Sequence, residues 1–170
     1  MDLNQFIRVV PDFPKPGISF KDITPLLLDP SAREHCLEQL LLPLRDLGAT
    51  KVVGVESRGF FFGMAIARDL ELGFIPVRKP GKLPYETTSR SYELEYGTDT
   101  LEMHSDAIEP GDKVILHDDV LATGGTAKAT CELIEALGGE VVACSFIMEL
   151  GFLNGAEKIN GHPIHAVLKY

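Results

Sequence analysis

Two adjacent carboxylates, Asp118 and Asp119, sit inside the run VILHDDVLATGGT at residues 114–126. Neighbouring carboxylates repel, so a polar or cationic partner belongs beside them. The apolar lead-in reads as a strand that delivers the pair to its carboxyl end. Ala122, Thr123, Gly124, Gly125 and Thr126 then turn into a helix whose first amides are unsatisfied and carry partial positive charge. Gly124 and Gly125 let the backbone come close to a ligand, Thr123 and Thr126 add hydroxyl donors, and no Lys follows as it would in a Walker A loop. Such a turn suits a single phosphate monoester. The carboxylates would accept hydrogen bonds from a sugar diol or hold magnesium through water, and the whole asks for a sugar phosphate. An acid pair or a Gly-Gly step alone reads as a capped, Gly-rich helix start. Only strand, acid pair and turn in register favour a ligand.

Three further stretches carry chemistry. Ser57-Arg58-Gly59 falls between a strand and a helix, where backbone amides and an Arg fork can hold anionic oxygens, or where the Arg simply solvates the turn. Arg78, Lys79 and Lys82 cluster beside Gly81, although a charge run by itself reads equally as a solvated surface. FPKPGISFKDI at 13–23 places prolines around Gly17 in a rigid turn suited to offering backbone groups to a flat ring. Cys36, Cys131 and Cys144 form no CxxC pair, which argues against a zinc site or disulfide framework and fits a reducing compartment.

The elements that must position these groups alternate. Ser31 and Glu34 have capping-box spacing ahead of a leucine stripe that runs to Gly48. Strands are expected at 51–56, over FIPVRK, at 113–119 and at 141–150. Helices are expected through Phe62, Ile66 and Leu70, and through Ala127, Cys131, Ile134 and Leu137. This predicts an α/β fold, a mainly parallel twisted sheet with helices on both faces and ligands beyond the carboxyl ends of its strands. Residues 80–104 break the pattern with a period-two hairpin about Gly97-Thr98, a polar excursion of the kind used as an active-site lid. At 170 residues and 45% hydrophobic content the chain reads as a single domain, 1–170. Its net charge of −9 opposes nucleic acid and anionic membrane as partners, and no segment has the length and apolarity of a membrane span.

VILHDDVLATGGT resembles the 5-phosphoribosyl 1-pyrophosphate (PRPP) signature of the type I phosphoribosyltransferase family. FPKPGISFKDITPLL at 13–27, VESRGFFFG at 55–63, VRKPGKLP at 77–84 and YELEYG at 92–97 are similar to further pieces of its adenine-using branch, in the same order. The resemblance implies that fold with a flexible hairpin lid over 80–104 and a small N-terminal hood. It also implies transfer of the 5-phosphoribosyl group from PRPP to adenine, giving AMP and pyrophosphate, in purine salvage by a cytoplasmic homodimer. Magnesium would be bound mainly through PRPP and pyrophosphate, with no side chain assigned as a direct metal ligand. Asp118, Asp119 and Ala122 to Thr126 would bind PRPP. Ser57, Arg58, Arg78, Lys79 and Lys82 would bind pyrophosphate, with Arg78 reaching the neighbouring subunit's site. Ser19 and Lys21 would bind adenine, and Glu95, with Arg58, would be catalytic. Alternation alone does not choose between Glu93 and Glu95, which face the same side of a strand; the resemblance picks the Glu before Tyr-Gly.

Two positions depart from the family. Lys21 stands where Arg is common and lacks the planar fork; it reads also as a surface ion. His117 stands where an aliphatic residue is common and reads as a core histidine without a role. Relatives using xanthine, hypoxanthine or orotate are second readings, opposed by the N-terminal element and the hairpin. A regulatory PRPP-binding domain is a third, opposed by the charge and by the lack of a winged-helix segment.

Overall fold

The computed structural model describes residues 1–93 and 97–170. In chain order the elements are β1 (Arg8–Val10), β2 (Phe20–Asp22), α1 (Thr24–Leu28), α2 (Pro30–Leu41), β3 (Lys51–Val55), α3 (Gly59–Asp69), β4 (Gly73–Val77), β5 (Thr87–Glu93), β6 (Thr98–His104), β7 (Lys113–Leu121), α4 (Gly125–Ala136), β8 (Glu140–Glu149) and β9 (Ile164–Lys169). Five of the strands form one sheet in the order β4-β3-β7-β8-β9, and every pairing in it is parallel. Both faces are covered, as the near-continuous apolar runs require. Val52 and Ile115 pack toward α2 and α3, while their neighbours Val53 and Leu116 pack toward α4 and β6. The parallel α/β sheet expected from the sequence is therefore present, with an edge strand, β9, that the sequence reading did not separate.

Helix α2 begins upstream of the expected capping box. Pro30 occupies its first turn, where a missing amide hydrogen costs nothing, and Asp29 caps it by accepting from the Ala32 amide at 2.8 Å. The helix ends at Leu41, two residues before Pro43, so Leu44 reaches the core from outside the helix. The 80–104 excursion is an antiparallel hairpin of β5 and β6, paired from Thr87↔His104 to Glu93↔Thr98. Leu101 and Met103 on β6 are fully buried, and Arg78 exchanges backbone hydrogen bonds with Glu102, so the return strand is tied to the end of β4 and to the core. Leu94, Glu95 and Tyr96, of which Glu95 is the expected catalytic residue, lie outside the described residues. At the N-terminus, β1 and β2 form a short hairpin through a turn with a cis Phe13–Pro14 bond and Gly17 at φ +86°.

Candidate active site

The order of the strands places the site. The chain leaves β3 for β4 on one side and later returns to β7 on the other, so the carboxyl ends of β3 and β7 flank the topological switch point. Pairing between β3 and β7 stops at Gly54↔His117, because β3 breaks off into α3, whereas β8 follows β7 as far as Leu121↔Glu149. Asp118 and Asp119 therefore lie within β7, not at its end as the sequence suggested, where the loss of β3 opens one edge. A Cβ on Gly59 would come within 2.9 Å of Asp118 Oδ1, so only glycine lets α3 start this close to the acid pair.

A cavity of about 390 Å³ opens there, walled by Glu56, Ser57, Arg58, Lys79, Tyr92, Asp118, Asp119 and the turn from Ala122 to Thr126. Two helix starts converge on it. Lys128 N donates to Gly124 O at 2.9 Å, so the amides of Gly125, Thr126 and Ala127 precede the first helical bond of α4. Phe60 N donates to Ser57 O at 3.2 Å, which leaves the Arg58 and Gly59 amides at the start of α3 in the same position. Gly124 is the residue that makes the α4 turn: its φ is +78°, and a Cβ there would lie 2.3 Å from Gly155 O. Gly155 in turn leaves no room for a Cβ against Ala122 O, so the turn is braced from behind by a glycine the sequence reading passed over.

Arg58, Arg78 and Lys79 each pair with an acid from another element. Arg58 Nε lies 2.6 Å from Asp119 Oδ2, a close ion pair that is out of line for a hydrogen bond. The same guanidinium stacks 5.1 Å from the Phe20 ring centroid, and Phe20 meets Phe13 edge-on at 5.2 Å, which brings the N-terminal hairpin over the cavity mouth. Arg78 donates from Nε at 3.1 Å and from a terminal nitrogen at 3.4 Å to Glu56, which also accepts from the Lys79 amide at 2.9 Å. Burial works to raise the Glu56 carboxyl, but the Lys79 amide and Arg78 hold it below the usual carboxylate range. Lys79 is paired with Asp99 on the hairpin. Burial opposes both charges, yet their mutual hydrogen bond keeps the Asp99 carboxyl below its ordinary value and the Lys79 ammonium above its own.

Asp118 differs. It is half-buried, its Oδ1 accepts only from the Asp119 amide at 2.8 Å among the described hydrogen bonds, and burial together with the Asp119 charge pushes its carboxyl well above the usual range. It faces the cavity as a carboxyl poised to gain a cationic or hydrogen-bonding partner.

Of the residues expected from sequence, the cavity gathers Ser57, Arg58, Lys79, Asp118, Asp119 and Ala122 to Thr126. It does not gather Arg78, committed to Glu56, nor Lys82, exposed in the Lys79 to Lys82 turn. Ser19 is exposed, and Lys21 sits over the Tyr170 ring at 4.5 Å; neither forms its wall. His117 is fully buried beneath α3, and burial lowers its pKa to about 3. Sequence reasoning missed Glu56, Tyr92, Asp99, Phe20 and Gly155. Glu56 and Tyr92 stood inside the motifs VESRGFFFG and YELEYG, and only their partners give them roles.

Residues 37–158 match the phosphoribosyl transferase domain family. Over 170 residues the chain is 62% identical to adenine phosphoribosyltransferase of Flavobacterium johnsoniae, covering all of both chains. It is similar in structure to adenine phosphoribosyltransferase of Rhodothermus marinus, with a TM-score of 0.95 and 58% identity over 99% of this chain and 96% of that one. It is also similar to the Saccharomyces cerevisiae adenine phosphoribosyltransferase complexed with an imino-altritol bisphosphate and adenine, at TM-score 0.94 and 40% identity over 98% and 97% of the two chains.

Proposed function

The chain belongs to the phosphoribosyl transferase domain family, and from that premise we propose that it transfers the 5-phosphoribosyl group of PRPP to adenine, releasing AMP and pyrophosphate. The observation that carries this is the Ala122 to Thr126 turn at the switch point. A braced helix start beside an acid pair faces Arg58 and Lys79 across one cavity, matching a ligand with phosphate at one end and pyrophosphate at the other.

On this reading the 5′-phosphate takes the amides of Gly125 to Ala127 and the hydroxyls of Thr123 and Thr126. The bond from the anomeric carbon to pyrophosphate breaks with its electrons leaving on pyrophosphate, while the ribose ring becomes cationic. Ser57, Arg58 and Lys79 receive the leaving group, Arg58 and Lys79 by exchanging carboxylate partners for phosphate oxygens; Arg78 and Lys82 supply charge behind them. Asp118 and Asp119 face the ribose and its developing charge. Adenine N9 forms the new bond and its proton is lost, with Glu95 as the proton acceptor in the hairpin. Ser19 and Lys21, carried by the N-terminal hairpin whose Phe20 already stacks on Arg58, bind the base once that hairpin closes on it.

The oxygen donors suit magnesium carried largely by the substrate's own phosphates, with Asp118, which has no ion pair among the described residues and accepts at Oδ1 from the Asp119 amide, as a side chain that would hold it through water. Bound there, the ion would offset the charge of pyrophosphate. Homodimer formation is supported by exposed apolar side chains, Leu28 at the end of α1, 73% exposed, and Phe61 and Met64 on α3, 54% and 56% exposed. Three free buried cysteines support a reducing cytoplasm. No described helix is long and apolar enough to cross a membrane.

The test is incubation with PRPP, magnesium and adenine, hypoxanthine, guanine, xanthine or orotate in turn, with nucleotide and pyrophosphate detected by mass. Formation of AMP from adenine, with the other bases slower by orders of magnitude, is expected. PRPP binding without turnover of any base would overturn the assignment in favour of a regulatory domain.

A further inference from the structure

Tyr92, on β5 of the hairpin, reaches across to the phosphate turn. Its hydroxyl accepts from Thr126 Oγ1 at 3.2 Å and donates to Asp99 Oδ2 at 3.2 Å, and Asp99 in turn pairs with the Lys79 ammonium. An unbroken chain therefore runs Thr126, Tyr92, Asp99, Lys79 across the cavity. Its two ends are the donors that a bis-phosphorylated substrate needs, Thr126 for the 5′-phosphate and Lys79 for pyrophosphate. A threonine hydroxyl has one proton, so a Thr126 that donates to Tyr92 cannot at the same time donate to phosphate. A Lys79 held on a carboxylate must likewise be parted from it before phosphate oxygens gain its full charge.

The position of the ring supports the same account. A Cβ on Gly125 would lie 3.0 Å from Tyr92 Cδ2 and 3.5 Å from Glu93 O. The space that the sequence gave to an approaching phosphate is, on this side of Gly125, taken by Tyr92. The Lys79 ammonium also lies 5.9 Å from the Tyr92 ring centroid, so ring and hydroxyl both face the same cation network.

Resting on the proposed function, we propose that Tyr92 and Asp99 set the affinity for the phosphorylated substrate by occupying its donors in the empty site. Tyr92 competes with the 5′-phosphate for Thr126, and Asp99 competes with pyrophosphate for Lys79. Neither residue need touch the ligand; each acts on the residue that does. The chain also ensures that neither donor is left without an acceptor when the product has gone.

The experiment is calorimetric titration of the full chain and its Tyr92→Phe and Asp99→Asn variants with ribose 5-phosphate and, separately, with magnesium pyrophosphate. Tyr92→Phe keeps the ring and changes no charge. It is expected to bind ribose 5-phosphate about fivefold tighter, the net worth of one neutral hydrogen bond, with pyrophosphate affinity within about twofold. Asp99→Asn is expected to bind pyrophosphate roughly three- to tenfold tighter and to gain less for ribose 5-phosphate, because the lost ion pair is partly solvated. Equal gains for both ligands in Asp99→Asn would show only a general field effect and overturn the Asp99 half. No gain for ribose 5-phosphate in a folded Tyr92→Phe overturns the Tyr92 half. Wild-type protein that binds neither ligand overturns the proposed function and this inference together, whereas normal wild-type binding with no gain in either variant overturns the inference alone.

Discussion

Asp118→Asn should make the empty protein more stable while making it a worse enzyme. The Asp118 carboxyl is raised well above its ordinary value by burial and by the Asp119 charge. A carboxyl whose folded pKa lies above its unfolded value favours folding below the unfolded value, and that contribution is lost as pH rises through the folded pKa. At neutral pH the charged form is therefore a standing cost. The repulsion of two carboxylates at an effective dielectric of about 20 is on the order of 1–3 kcal/mol, with Arg58 already offsetting part of it through Asp119. Asparagine retains an oxygen to accept from the Asp119 amide, now at 2.8 Å to Asp118 Oδ1, so the substitution removes the charge and little else. For a chain of this size each kcal/mol moves Tm by about 2–4 °C, so a rise of roughly 2–12 °C is expected at pH 7.5.

The assay is thermal unfolding of both proteins without ligand from pH 4 to pH 8, with steady-state kinetics alongside. The gap in Tm should be widest at neutral pH and close toward pH 4, where the wild-type carboxyl is protonated as well. In the same variant kcat should fall more than KM for PRPP rises, because the ribose becomes cationic only as the bond breaks. A Tm at pH 7.5 equal to or below that of wild type would refute the account of Asp118 as a carboxyl held against its preference. A gap independent of pH would refute the electrostatic cause.

Glu95→Gln should cut turnover by about 10² to 10⁴ with PRPP affinity nearly intact, and Glu93→Gln should do far less; a loss under about tenfold with chemistry limiting would leave the hairpin only as a cover. Gly124→Ala should cost about 2–4 kcal/mol in unfolding free energy, since its Cβ meets Gly155 O at 2.3 Å at a φ of +78°; chemical denaturation showing a loss below 1 kcal/mol would mean the turn relaxes freely. His117→Leu should flatten the acid side of the stability profile. Wild-type His117, lowered to about 3 when folded, loses stability as pH falls below the unfolded value near 6.5, by about 2 kcal/mol at pH 5, and a variant with an unchanged slope between pH 7.5 and pH 5 would contradict that.

The parts of this fold that the sequence displays are those decided by neighbours in the chain. KVVGV and KVILH read as buried parallel strands because their apolar content is continuous, and the Gly124-Gly125 step marks a helix start because its conformation is local. Where competing signals were also local, the wrong one was read: Ser31 and Glu34 have the right spacing, but Asp29 before Pro30 caps α2. IHAVLK was passed over although Ile164, Ala166 and Leu168 alternate, and as the edge strand β9 it is mostly half-buried. The cations of the site were legible as types, and their partners were not, since Glu56 meets Arg78 across 22 positions and Asp99 meets Lys79 across 20. The parallel pairing of β3 with β4 brings Glu56 to Arg78, and the return of β6 along the end of β4 brings Asp99 to Lys79.

That pairing changes what binding must be. A chain of net charge −9 that left Arg58, Lys79 and Arg78 bare would hold a cationic hole, open to any anion. Here Asp119, Asp99 and Glu56 already neutralise the three, so an anion gains only what it offers beyond the carboxylate it displaces. Asp119 is nearly fully buried and Asp99 partly so, and a carboxylate that loses its cation in such a place is left at a cost. On the proposed function, a magnesium-bearing pyrophosphate with a ribose beside Asp118 and Asp119 is a ligand that brings its own compensation and takes Arg58 and Lys79 without stranding both acids. On that reading, selection for the whole substrate follows from how the empty site keeps its own charges paired.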